Sequence, residues 1–393
     1  MTRSGISSHI LPIIVFAQFA GTSLWFAPNA VISELSIALG LQSGAVSNLT
    51  SSVQLGFIIG TLFFSILNLS DRYSPRLVFL LSAVLGASCN LGIVALDTNF
   101  SLILISRFLT GFFLAGIYPV GMKIAADWYE AGLGKALGYL VGALVLGTAF
   151  PHLIRYFGAN MTWTTVIWSV SALAICGALL LYIFVHEGPY RSKPSPLRLT
   201  AFIEIFQIKD FRAAAFGYFG HMWELYAFWA FVPVFIALYI DRTNSVAIDI
   251  SFLSFVVIAS GSLGCVVGGY ISNRVGSARV AIGQLSLSGC CCLIAPLIFF
   301  TPPVIFVPFL IMWGVFVVGD SPQFSTLNAI TAPKNFVGTA LTIATCIGFA
   351  ITIFSIQLLS WLNEAGWMPW SLWVLLPGPI FGLFWSRNLL QSS

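Results

Sequence analysis

The chain has 393 residues, of which 58% are hydrophobic and only 8% charged, with a net charge of +4. Ordinary globular chains carry roughly 25% charged residues, so this one cannot coat the surfaces of two or three water-soluble domains. Its apolar runs of about 20 residues, long enough to cross roughly 30 Å of hydrocarbon, make it an all-α polytopic membrane protein.

The first segment, "MTRSGISSHILPIIVFAQFAG", has one arginine followed by a long apolar stretch, which predicts a retained span and not a cleaved leader. Spans are expected at 8–33, 44–68, 77–96, 101–123, 134–157 and 162–185, then at 211–239, 249–272, 279–299, 303–326, 336–361 and 367–387. The longest polar stretch, 186–210, separates the two sets of six. The expected organisation is therefore an N-terminal six-helix bundle over 1–187, a linker over 188–210 and a C-terminal bundle over 211–393.

Lysine and arginine near span ends set orientation. With twelve spans, all but Arg107, Arg155 and Arg242 of the 17 lysines and arginines fall at one face, which carries both termini. We call it the basic face and expect it to be cytoplasmic, in a bacterial inner membrane. The seven cysteines lie inside apolar runs without metal-ligand spacing and read as small buried residues.

The two halves resemble each other. "GFFLAGIYP" (111–119) aligns with "GVFVVGDSP" (314–322) at an offset of 203, sharing both glycines, a phenylalanine and the proline. "SDRYSPR" (70–76) aligns with "SNRVGSAR" (272–279), and "GKAL" (134–137) with "GTAL" (338–341), at nearly the same offset. Internal repeats around a central site are the architecture of secondary transporters.

The loop "LNLSDRYSPR" (67–76) resembles the Gly-x-Leu-Ala-Asp-Arg-x-Gly-Arg-Lys motif between spans 2 and 3 of the major facilitator superfamily. It keeps Leu69, Asp71, Arg72 and the basic Arg76 but has Leu67 and Ser74 where glycines are usual. The second copy (269–279) keeps Gly269 and Gly276 but has Asn273 in place of the acid. The resemblance covers essentially the whole chain and implies two pseudo-symmetric six-helix bundles. It further implies that Asp71 and Arg72, with Arg76, form a gating latch at the basic face; charges that only set topology are the alternative. Span 4, "RFLTGFFLAGIYPVGMK" (107–123), is similar to the family's Arg-x-x-x-Gly pattern, whose arginine is linked to proton coupling. A structural role for Arg107, bonding backbone carbonyls of a neighbouring helix, stays open. In span 5, Gly138, Gly142, Ala143 and Gly147 are small enough for close helix approach. That span lacks the Gly-Pro-x-x-Gly-Gly signature of drug/proton antiporters, and spans 2 and 8 lack the arginines of nitrate porters.

Ionisable residues inside spans are costly and mark function. His152 and Arg155 are expected to snorkel to the interface. His221 and Glu224 in "FGHMWELYAFWAF" (219–231) are three apart, a spacing that puts both on one helix face. A histidine and a carboxylic acid held together away from water can exchange a proton near neutral pH; a fixed hydrogen-bonded pair that stabilises packing is the alternative. Asp320, beside Pro322, could gate span 10 or coordinate; snorkelling to the interface or bonding backbone groups freed by the proline is the alternative. The proton-coupling candidates are His221, Glu224, Arg107 and Asp320. Gln18, Trp25, Tyr118, Tyr226, Trp229 and Trp313 are candidates for a solute cavity, since aromatic rings bind organic solutes by stacking and cation–π contact.

The expected function is proton-coupled uptake of a small polar organic solute by alternating access, with efflux of drugs or metabolites as the rival. A metal-ion carrier is less favoured, because His221 and Glu224 alone are too few ligands. No HExxH, GxSxG or P-loop points to an enzyme. The partners expected are a small-molecule substrate, protons and the lipid bilayer, with no cofactor, no metal and no nucleic acid, for a monomer.

Overall fold

The computed structural model describes residues 8–41, 44–95, 99–129, 133–191, 202–244, 248–333 and 336–390. Arg3, Lys193, Arg198 and Lys334 of the predicted basic face, and positions 192–201 of the predicted linker, lie outside the described residues. Every regular element described is helical. Among the described residues, ten helical segments, from Ala45–Ile66 to Val337–Glu364, are long and apolar enough to cross a membrane. The first and last predicted spans are instead divided. Span 1 consists of Ile10–Thr22, a short 3-10 turn Pro28–Val31 and Ile32–Leu39, and span 12 of Trp370–Leu375 and Pro377–Ser386.

Spans 4 and 10 are broken at matching places. Span 4 is Phe100–Leu114 followed by Tyr118–Trp128, and span 10 is Pro303–Gly319 followed by Ser321–Thr331. Pro119 and Pro322, 203 residues apart, each sit in the first turn of the second piece, where proline's missing N–H costs nothing. The ends of spans 4 and 8 away from the basic face are capped alike, by Asn99 accepting from Leu102 N and Asp249 accepting from Phe252 N. Gly276, at a φ of +89°, lets span 8 turn directly into span 9.

The sequence repeat reappears in the packing. In the first half, span 1 packs on spans 5 and 6, span 2 on span 4, and span 3 on spans 4 and 6. Shifting each number by six gives the main contacts of the second half: 7 with 11 and 12, 8 with 10, and 9 with 10 and 12. The principal contacts between halves are span 5 with span 8 and span 2 with span 11.

Two glycines aligned in the repeat explain the closest of these approaches. A Cβ on Gly111 would lie 2.0 Å from the carbonyl oxygen of Val53, and one on Gly314 would lie 2.0 Å from that of Val257. The backbones of spans 2 and 4, and of 8 and 10, thus touch at equivalent points, as small residues allow in membranes. The small-residue row expected of span 5 behaves less uniformly. A Cβ on Gly147 would meet Thr22 and the Phe19 carbonyl of span 1, whereas Gly138 faces open space and Gly142 makes only ordinary contact with Ser262.

Candidate functional site

A cavity of about 620 Å³ lies between the halves. It reaches the basic face, where the exposed Lys135 and Asn273 line it, and extends inward to Tyr226 and Phe349. Its walls come from both halves: Tyr118 and Met122 of span 4, Leu144 of span 5, Tyr218 and Met222 of span 7, and Gln323 of span 10 among them. Lys135 is the one charged residue among the described residues that line it.

Its roof is a cluster of rings. Trp25 contacts Phe57, Phe349 and Tyr226 with centroids 4.8, 5.5 and 5.8 Å away. Tyr226 also meets Phe349 at 5.0 Å and Trp229 at 5.2 Å, and Phe26 packs edge-on to Trp229 at 6.1 Å. Spans 1 and 2 of one half therefore interlock with spans 7 and 11 of the other. Nearer the opposite face, Gln357 of span 11 donates to Ser51 Oγ of span 2 at 2.9 Å.

Of the six residues expected in a cavity, Tyr118 and Tyr226 line this one. Trp25 and Trp229 belong to the roof. Gln18 is buried between spans 1 and 4, with Nε2 3.5 Å from the Tyr118 carbonyl. Trp313 lies away from the cavity: its Nε1 donates to Glu224 Oε1 at 2.9 Å.

His221 and Glu224 have different partners. Three residues along a helix is a rotation of about 300°, which leaves side chains roughly 60° apart and one turn removed. His221 Nδ1 is 2.8 Å from Asp320 Oδ1, and both residues are only 1% exposed. Asp320 stands at the break of span 10, and Tyr218, Met222, Ser321 and Pro322 around the pair line the cavity. The His–Asp pair thus lies just behind the cavity wall. Glu224 instead accepts on Oε1 from Ser288 Oγ at 2.5 Å, Cys292 Sγ at 3.1 Å and Trp313 Nε1. It ties span 7 to spans 9 and 10 inside the second half. The sequence pairs His221 with Glu224; the fold pairs His221 with Asp320.

Arg107 is fully buried. Nη1 donates to the Leu24 carbonyl at 3.2 Å and to Asn90 Oδ1 at 3.1 Å, and Nη2 donates to the Trp25 carbonyl. Asn90 in turn donates to Ser171 at 3.0 Å. The break in span 1 frees backbone carbonyls, which hydrocarbon does not tolerate unless protein groups satisfy them. Arg107 satisfies two, the structural role the sequence leaves open. His152, expected at the interface, is buried, while Arg155 donates to Glu34 of span 1.

The residues expected to form a latch, Asp71, Arg72 and Arg76, lie at the basic face. Asp71 binds Lys123 of span 4 at 2.5 Å, and Arg72 is exposed with no ion pair found among the described residues. Arg76 binds Glu187 at 3.2 Å and caps span 6 by donating to the Tyr182 and Val185 carbonyls. Arg191 donates to the Asp71 and Tyr73 carbonyls. This cluster joins spans 2, 3, 4 and 6 of a single half and does not bridge to the other. Lys123, Glu187 and Arg191 escaped the sequence reading because charges at span ends look alike whether or not they are paired. Phe57 and Phe349 escaped it because nothing separates a roof phenylalanine from a lipid-facing one.

Comparison with known proteins agrees with this architecture. One stretch is 29% identical to an MFS-type transporter, phm3, of Pyrenochaetopsis, over 44% of this chain and 37% of that protein. A second relative, a triacylglyceride transporter of Mycobacteroides abscessus, is 26% identical over 42% of this chain and 33% of its own length. The chain thus spans only about a third of those two relatives. An uncharacterized protein of Campylobacter jejuni is 24% identical over 71% of this chain and 86% of its own. The model of the Major Facilitator Superfamily matches residues 14–356, so the repeated halves and the cavity between them are those of a member of that family.

Proposed function

We propose that this chain is a secondary active transporter that carries a small organic solute by alternating access, and that the structure is its inward-facing conformer. The observation that carries this reading is a cavity that ends on a roof of rings contributed by both halves. Rotating the halves, 1–187 against 211–393, about spans 2, 5, 8 and 11 would part the roof and close the mouth. The basic face is then cytoplasmic and the membrane a bacterial inner membrane. With no carboxylate among its described lining residues, the cavity suits a neutral or anionic solute better than a cation.

Coupling to protons falls to His221 and Asp320, because a change of charge between them would act on the break in span 10. Glu224, bound by three donors, serves as a fixed acceptor. Uptake by symport is the direction we favour, given the missing antiporter signature. Export of a more apolar compound is the second reading, favoured by the leucine, valine and methionine in the lining.

Single cysteines test the scheme directly. In a cysteine-free background, Thr345→Cys in the cavity should react from the cytoplasmic side and Gln357→Cys from the opposite side, with reciprocal changes when solute is added. Fixed reactivity at both positions defeats alternating access. In proteoliposomes, an imposed pH gradient should drive solute accumulation in the wild type and not in Asp320→Asn; gradient-driven accumulation surviving in that variant defeats the coupling assignment.

A further inference from the structure

Three buried polar side chains at the roof level have no hydrogen-bond partner among the described residues. Nε1 of Trp25, Nε1 of Trp229 and both amide atoms of Gln54 are fully enclosed and unbonded. Trp25 and Gln54 belong to the first half and Trp229 to the second; Gln54 lies one turn before Phe57, the ring packed on Trp25. The other large indole of the interior, Trp313, does bond, to Glu224. Buried indole N–H groups normally find a partner, and leaving one unmade is costly. Both unpartnered indoles touch Tyr226, which is at once roof and cavity wall.

We infer that the roof is the recognition end of the solute site, and that Trp25 and Trp229 donate to an oxygen acceptor carried by the solute, with Gln54 as a third polar contact. The inference deepens the transport reading and rests on it. An indole nitrogen donates and cannot accept, so the group recognised is a carbonyl or carboxylate oxygen, not an ammonium. The rings around the donors, Phe57, Tyr226 and Phe349, take an apolar or aromatic body. The exposed Lys135 at the mouth, the only charge among the described lining residues, favours an electronegative head in the same way. The class of substrate is therefore a small amphipathic molecule with an oxygen-acceptor head and an apolar body. Because the two indoles come from different halves, the head is bound across the seam that must part during transport.

The test uses full-length protein in detergent with indole-15N tryptophan, the Trp25 and Trp229 signals being assigned from Trp25→Phe and Trp229→Phe. The probes are phenylacetate and phenylacetamide, which carry the acceptor, with ethylbenzene and phenethylammonium as matched compounds without it. Both indole N–H signals should move downfield with the first two probes only. Loss of either indole should weaken their binding roughly tenfold, the usual effect of one hydrogen bond of about 1.4 kcal/mol. Gln54→Leu, which keeps both indoles, should weaken binding less and leave the indole shifts in place. Indole signals that ignore the acceptor-bearing probes, or move equally with ethylbenzene, overturn the inference. If the single-cysteine reactivities still change sides in that case, transport stands and only the recognition site falls; if they are fixed as well, the transport reading has failed on its own test.

Discussion

Replacing Arg107 with lysine separates the two roles open to that residue. The substitution keeps the charge and most of the stem, so the cost of burying a cation changes little. It removes the planar fork that reaches the Leu24 and Trp25 carbonyls and Asn90 together. With at least one of these acceptors left unpaired, the loss is about 1–3 kcal/mol. The apparent melting temperature in detergent should fall by roughly 1–4 °C. The damage should be local: backbone amide exchange across 22–27 should quicken by about tenfold or more, since each 1.4 kcal/mol of opening free energy is a factor of ten. A variant that melts and exchanges like the wild type but loses the response of transport to pH would refute the clamp and restore the proton role that the family resemblance implies.

The glycine contacts give a second test. Gly111→Ala and Gly314→Ala each drive a methyl group onto a backbone carbonyl, which cannot turn aside as a side chain can; each should cost about 1–3 kcal/mol or more, read as lowered thermal stability, while Gly138→Ala should be nearly neutral. Asp71 and Lys123 should behave as one unit. Asp71→Asn, Lys123→Met and the double variant should yield a coupling energy of about 0.2–1 kcal/mol for this partly exposed pair; strictly additive losses would show that the contact carries no energy. Glu224→Gln retains an acceptor oxygen and should leave stability within about 1 kcal/mol, whereas Glu224→Leu strands Ser288, Cys292 and Trp313 at about 1–3 kcal/mol for each donor left unpaired. Equal melting temperatures for those two variants would contradict the acceptor role.

What could be foreseen from the residues was whatever repeats along the chain. The offset of 203 between "GFFLAGIYP" and "GVFVVGDSP" anticipates the paired breaks of spans 4 and 10 and the paired glycine contacts, because backbone approach depends on local composition. Partners were harder to foresee. Glu224 looks like the partner of His221 in a linear string, yet a rotation of about 60° sends the two to different helices, and Asp320 is 99 residues from His221. Arg107 shows the same limit. Its burial was expected from position, but its partners exist only because span 1 unwinds over 23–27, which its apolar sequence does not announce. Nor does hydropathy distinguish Trp313, bound to Glu224, from Trp229, in the roof.

The roof of rings has a consequence for energy conservation. A transporter driven by a proton gradient must not let protons pass without solute. Protons travel along chains of groups that both accept and donate hydrogen bonds, and an indole can only donate. Phenylalanine does neither. Apart from the Tyr226 hydroxyl, the rings of Trp25, Phe26, Phe57, Trp229 and Phe349 offer no relay, so on the transport reading proposed above the contact that closes the cavity would bar protons as well as solute.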